Sequence, residues 1–155
     1  MAKKPSLRKL IEDYLKDAKL MQLATSVNDQ PWVCNVWFAA DKDLNIYWFS
    51  SSKRRHSAEV TKNTKVAGAI ALPQTPKDLP RGLQFQGVAE LLTKQKDIDK
   101  ASFFYSGRIF SKKTIKELME DNEKPHHFYR IKVSQFVLFD AVNFADTNWR
   151  QEYKP

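Results

Sequence analysis

The hydrophobic residues near the N-terminus recur at spacings of three and four positions. They are Leu7, Leu10, Ile11, Tyr14, Leu15 and Ala18. This spacing places them on one face of a helix, and Ser6 carries a side chain suited to the N-cap. The pattern therefore predicts a helix over residues 6–18 that packs on an apolar surface.

Beyond this helix, the apolar residues occur in short runs rich in aromatic and β-branched side chains. Such runs, separated by turn residues, are typical of β-strands. The predicted strands cover residues 20–24, 32–40 and 46–50. Because short polar turns join them, an antiparallel meander is the simplest arrangement.

The second half of the chain mixes further strands with helical segments. We expect a short helix ending near Val60, strands at 66–72 and 83–91, helical structure over 95–121 interrupted at Gly107, strands at 128–133 and 136–141, and an irregular end from 146 to 155. This amounts to roughly seven strands and three or four helices, without regular alternation of strand and helix. The pattern indicates a mainly β protein, an antiparallel β-barrel with peripheral helices.

Composition narrows the class of protein. With 155 residues, the chain has the size of a single domain, which we expect to span residues 1–155. The formal net charge of +8 favours anionic partners such as phosphorylated small molecules or nucleic acid. One cysteine, no apolar leader and no long apolar run favour a cytoplasmic protein that does not enter a membrane.

The strongest candidate for chemistry is the basic turn, defined here as residues 50–57. It carries three serines before Lys53, then Arg54, Arg55 and His56, and it opens the predicted short helix. Cationic side chains at a helix N-terminus suit a phosphate monoester. A solvated basic surface turn is the alternative that the residues alone leave open.

The order of these elements carries a family resemblance. Two later segments share it, namely Thr61-Lys62-Asn63-Thr64-Lys65-Val66-Ala67 and Arg81-Gly82-Leu83-Gln84-Phe85-Gln86-Gly87-Val88-Ala89-Glu90. The chain resembles the FMN-binding split barrel of the pyridoxamine 5′-phosphate oxidase-like superfamily. The likeness is good over residues 5–92 and looser in the C-terminal third.

The resemblance implies a homodimer with FMN in the cleft between the subunits. The phosphate would be held by Lys53, Arg55 and His56. The other implied contacts to the cofactor are Asn35, Val36, Phe49, Ser50, Ser51, Gln84, Gln86, Trp149 and Arg150. The flavin would carry out hydride or electron transfer, since the protein supplies binding and orientation in such enzymes.

Three departures separate the chain from the true oxidases. Cys34 and Ala39 stand where the oxidases carry an Arg and a Lys on the second strand, and His56 replaces a Lys. The C-terminal substrate-binding signature is not recognisable. We therefore expect a small relative, an FMN-binding protein that acts as a flavin-dependent oxidoreductase of unknown substrate. The alternatives are a non-catalytic protein that binds or stores flavin, deazaflavin or haem, and a basic barrel that binds single-stranded nucleic acid.

Two further candidates carry less weight. His126 and His127 are adjacent, so on a strand they point to opposite faces and cannot easily share a metal ion. We expect no metal site there. Cys34 sits in the middle of a predicted strand among aromatic residues, which favours a buried structural thiol over a nucleophile.

Overall fold

The computed structural model describes residues 5–155, which form four helices and seven strands. The helices are α1 (Leu7–Asp17), α2 (Arg55–Lys62), α3 (Gln95–Tyr105) and α4 (Lys112–Met119). The strands are β1 (Leu20–Val27), β2 (Gln30–Ala40), β3 (Ile46–Ser51), β4 (Lys65–Ile70), β5 (Arg81–Leu91), β6 (His126–Asp140) and β7 (Arg150–Tyr153). None of these helices is long and apolar enough to cross a membrane.

All seven strands belong to one antiparallel sheet that closes on itself. Its order is β3-β2-β1-β4-β5-β6-β7, and β3 also pairs with β6, which completes a six-stranded barrel. One edge of β6 pairs with β5, whereas the other edge is divided: residues 126–131 pair with β3 and residues 136–139 pair with β7. The predicted antiparallel split barrel with peripheral helices is confirmed.

Aromatic and aliphatic side chains fill the barrel. The rings of Trp48 and Tyr129 stack with centroids 4.7 Å apart, and Phe85 fills space opposite Gly68. A Cβ atom at Gly68 would overlap the Phe85 ring and lie 2.6 Å from the carbonyl oxygen of Gln22. Glycine is therefore required at this position by close approach.

The two N-terminal helices pack at opposite ends of the barrel. Tyr14 of α1 accepts a hydrogen bond from the backbone of Leu72, just after β4 ends. At the other end, Glu59 of α2 accepts a hydrogen bond from Thr25 near the end of β1. Because β1 and β4 are antiparallel neighbours, these contacts lie at opposite ends.

The outer surface is covered unevenly. Over β3 and the start of β6, α3 and α4 bury a second cluster that contains Tyr47, Phe49 and Phe128. Across β4 and β5, outward-facing residues such as Ala67 and Val88 remain exposed. The barrel thus presents one covered face and one open face.

Most predicted elements are confirmed, including the N-terminal helix, the meander and the break at Gly107, whose φ is +74°. The polar segment predicted between the first two strands is shorter than expected. Only Asn28 and Asp29 form the turn, both with positive φ, so β1 and β2 run almost continuously into a tight hairpin.

Two predictions for the C-terminal third are wrong. The strands expected at 128–133 and 136–141 are one strand, because Ser134 forms a β-bulge opposite Gln86 and Gly87 that keeps the ladder intact. The end of the chain is not wholly irregular, since β7 pairs with β6. The sequence of β7 is polar and shows no apolar alternation, because β7 lies at the outer edge of the sheet.

Candidate functional site

The basic turn joins the end of β3 to the start of α2. Ser50 Oγ lies 2.9 Å from His56 Nε2, and both side chains are buried. The backbone N–H of Lys53 donates to Ser51 Oγ, over 3.3 Å. The structure therefore pairs Ser50 with His56, whereas Ser51 projects to the other side of β3, where its hydroxyl holds the backbone of Lys53.

His56 differs from a simple surface cation. Burial and, after it, the charge of Arg54 lower the pKa of the His56 imidazole below its ordinary value of 6.5. The ring is therefore neutral at neutral pH, and one nitrogen faces Ser50. At this position His56 supplies a hydrogen-bonding group rather than a positive charge.

Arg55 is already engaged within the protein. Its Nε donates to Glu59 Oε1 over 2.7 Å, and its guanidinium lies 4.0 Å from the centroid of the Trp32 ring. Thr25 donates to the other oxygen of Glu59. By contrast, neither Lys53 nor Arg54 forms a side-chain ion pair with any residue between 5 and 155, so these two exposed cations are free to meet a ligand.

Phe49 and Ser50 point to opposite sides of β3, as adjacent strand residues must. Phe49 lies in the cluster under α3 and α4, where its ring centroid is 4.5 Å from that of Phe128. Asn35 and Val36 diverge in the same way: Val36 packs on the barrel interior, whereas Asn35 is exposed. The structure does not bring Phe49 into one pocket with Ser50.

A second feature is the outer groove, which runs along the open face of β1, β4 and β5. It consists of two adjoining depressions of about 420 and 610 Å³ that share the lining residues Ala24, Ala67 and Gln86. Small residues form its floor, and amide side chains line it. The amide residues are Gln22, Gln84, Gln86 and Gln135.

The amides of the groove follow from the strand register. Asn35 is paired with Gln22, Gln22 with Ala69 and Ala69 with Gln84 across neighbouring strands. The Gln22 amide donates to Asn35 Oδ1 over 3.0 Å. Of the predicted contacts, Asn35, Gln84 and Gln86 thus share one face, away from the Ser50–His56 pair.

Trp149 immediately precedes β7 and Arg150 is its first residue, so neither lies near the basic turn. The Trp149 ring packs edge-to-face on Phe139 with centroids 6.0 Å apart. Arg150 pairs with Glu152, which also accepts a hydrogen bond from Gln135 of the outer groove. Arg150 is therefore linked to the groove only through Glu152, and Trp149 does not line it.

The departures on β2 have a structural reason. Ala39 is 1% exposed and packs in the cluster beneath α3, which leaves no room for a long cationic side chain. Cys34 is half-buried against the barrel core, and burial raises the pKa of its thiol. His126 donates from Nδ1 to the carbonyl oxygen of Lys124, and its ring lies against Phe49.

Sequence reasoning missed several residues that the fold brings to these features. Arg54 is free whereas Arg55 is paired, and His127 lies opposite Ser50 in the β3–β6 ladder. Gln22 and Gln135 join the groove. Only Gln22 had a local signal, its alternation with Met21 and Leu23, because the partners of the others come from strand pairs distant in sequence.

Comparison with known proteins identifies a matching family model, distant sequence relatives and solved structures with the same fold. The family model described as pyridoxamine 5′-phosphate oxidase matches residues 7–139. A protein of Haemophilus ducreyi named UPF0306 protein is 29% identical over 96 residues, which cover 61% of this chain and 64% of the relative. The match thus spans less than two thirds of that relative.

Two solved structures share the fold at low sequence identity. A haem-binding protein from Mycobacterium smegmatis aligns with a TM-score of 0.77 at 15% identity, covering 99% of this chain and 60% of the other. An FAD-binding protein from Mesorhizobium loti aligns with a TM-score of 0.60 at 18% identity, covering 82% and 87%.

Proposed function

We propose that this chain, which belongs to the pyridoxamine 5′-phosphate oxidase family, is a small relative of the true oxidases that binds FMN. The observation that carries the proposal is the pair of unengaged cations, Lys53 and Arg54, beside the buried Ser50–His56 hydrogen bond. They stand where β3 ends and α2 begins.

The basic turn fits a phosphate monoester. Arg54 is the N-cap of α2, and no side chain caps the helix, so its first N–H groups remain available to an anion. Lys53 and Arg54 supply positive charge. Arg55 lies at the edge of this phosphate site, held there by its ion pair with Glu59. We assign the phosphate of FMN to this turn.

The ring of the flavin needs a second surface, for which the outer groove is suited. Amides of Gln84 and Gln86 can donate to and accept from the polar edge of the ring, above a floor of alanines. Ser50 and His56 face the barrel end, whereas these amides face outward. We therefore propose a homodimer in which one copy holds the phosphate and the open face of the other contacts the ring.

Bound FMN would supply hydride or electron transfer. The protein's part is to fix the phosphate through Lys53 and Arg54 and to orient the ring with the groove amides. Turnover is tested by reducing the loaded protein with NADH or NADPH and following reoxidation in air. Reduction that is no faster than that of free FMN would favour a binding or storage role.

FMN titration followed by flavin fluorescence tests the site. We expect the Lys53→Ala, Arg54→Ala double variant to bind FMN at least about tenfold more weakly, because two charged hydrogen-bond donors are lost. The matched control, Lys112→Ala with Lys113→Ala, removes two exposed cations from α4 and should leave affinity unchanged. Unchanged affinity in the first variant would overturn the placement of the phosphate.

Haem is the second candidate ligand, supported by the fold shared with the Mycobacterium smegmatis haem-binding protein. The visible spectrum of the purified protein separates the two. Flavin bands that persist through gel filtration support FMN. A Soret band, with no spectral response to added FMN, would show that the ligand is haem rather than flavin.

A further inference from the structure

His127 lies directly opposite Ser50 where β3 pairs with β6. In an antiparallel ladder, side chains of directly opposed residues project to the same face, with Cβ atoms about 5 Å apart. Ser50 in turn contacts His56 over 2.9 Å. Two histidines therefore adjoin Ser50 at this end of the barrel, His56 through its hydrogen bond and His127 as its partner in the ladder.

The two imidazoles differ in how they are engaged. One nitrogen of His56 is committed to Ser50, and the residue is only 8% exposed. His127 is partly exposed, and no hydrogen bond or ion pair within residues 5–155 involves its ring. His127 thus has an uncommitted, partly exposed imidazole at the end of the β3–β6 ladder from which the basic turn departs.

The neighbouring histidine provides a contrast within the same strand. His126 projects to the opposite face, where its ring centroid is 5.3 Å from that of Phe49 and its Nδ1 lies 3.0 Å from the carbonyl oxygen of Lys124. It is opposite Ser51 rather than Ser50. His126 therefore cannot serve the same surface.

We propose that His127 is a further phosphate-binding residue, donating from its imidazole to the phosphate monoester that Lys53 and Arg54 hold. The inference rests on the proposed function and deepens it. It gives β6 a contact with the phosphate. β6 lies next to the site only because its pairing with β3 closes the barrel. This contact also makes the site selective for the phosphorylated over the unphosphorylated form of one ligand.

The test compares FMN with riboflavin, which lacks the phosphate. Dissociation constants are measured for the wild type, His127→Ala and His126→Ala. We expect His127→Ala to weaken FMN binding at least about tenfold, as for loss of one hydrogen bond to a charged group, and to leave the dissociation constant of riboflavin unchanged. His126→Ala should leave both dissociation constants as in the wild type.

Each other outcome has a distinct meaning. Equal losses for FMN and riboflavin, or no loss for FMN, would overturn the role of His127 while the flavin site stands. Absence of FMN binding in the wild type would overturn the flavin site itself. If His127→Ala does not fold, imidazole NMR shifts of wild-type His127 during titration with FMN and riboflavin decide: a shift with FMN alone supports the contact, and equal shifts refute it.

Discussion

Ser50 Oγ lies 2.9 Å from His56 Nε2, which joins the last inward-facing residue of β3 to the first turn of α2. Both residues are buried. The hydrogen bond therefore fixes the course of the basic turn between them, and with it the positions of Lys53 and Arg54.

Removing the Ser50 hydroxyl should destabilise the protein. Ser50→Ala leaves the buried ring nitrogen of His56 without its partner, which costs about 1–3 kcal/mol. Urea denaturation measures this loss in the free energy of unfolding. Ser52→Ala is the matched control, since Ser52 is exposed, and it should change stability by less than about 0.5 kcal/mol.

Stability should also depend on the protonation of His56. Burial lowers the pKa of His56 in the folded protein below its ordinary 6.5, so the unfolded chain takes up this proton first as the pH falls. The stability that neutral His56 contributes is fully present above the pKa of His56 in the unfolded chain. It is lost as the pH falls through the pKa of His56 in the folded protein.

The pH dependence is isolated by comparing the wild type with His56→Gln. Between about pH 7 and pH 5, the unfolding free energy of the wild type should fall more steeply than that of the variant. Parallel curves would show that His56 titrates alike in both states.

Gly68→Ala should be strongly destabilising. The new Cβ atom would overlap the Phe85 ring and crowd the carbonyl oxygen of Gln22, and such overpacking costs about 1–3 kcal/mol. Gly82→Ala is the matched control on the neighbouring strand, because the nearest atom there is 4.0 Å away. Comparable unfolding midpoints for the two variants would contradict this account.

Arg108 should stabilise the C-terminus of α1. Its guanidinium donates to the carbonyl oxygens of Leu15 at 2.9 Å and Lys16 at 2.7 Å, two groups that lack partners within the helix. We expect Arg108→Met to lower the free energy of unfolding by about 2 kcal/mol in chemical denaturation.

Lys113→Met provides the comparison for Arg108→Met. Lys113 is 85% exposed in its side chain and lies 3.8 Å from Glu117, so its loss should cost less than about 0.5 kcal/mol. An equal effect of the two substitutions would argue against a capping role for Arg108.

The open face should mediate the proposed dimer. Ala67→Arg places a long cation on the floor of the outer groove and should convert a dimer to a monomer in sedimentation velocity. Ala71→Arg, at an exposed position after β4, should leave the dimer intact. A wild type that sediments as a monomer at micromolar concentration would refute this interface.

Local patterns in the sequence determined much of the fold. The three-and-four spacing from Leu7 to Ala18 specified α1, and turn residues between apolar runs specified the meander. The cluster from Lys53 to His56 marked the basic turn before α2. These features depend on neighbours within a few positions, so a single sequence carries them.

Only the tertiary structure decided which residues meet. Pairing of β3 with β6 brings His127 opposite Ser50 across 77 positions of sequence, and this long-range ladder has no local signal. The fold also separates Phe49 from Ser50 and distinguishes paired Arg55 from free Arg54. Strand register and barrel closure set these relationships, because both depend on contacts between distant segments rather than on the residues beside each position.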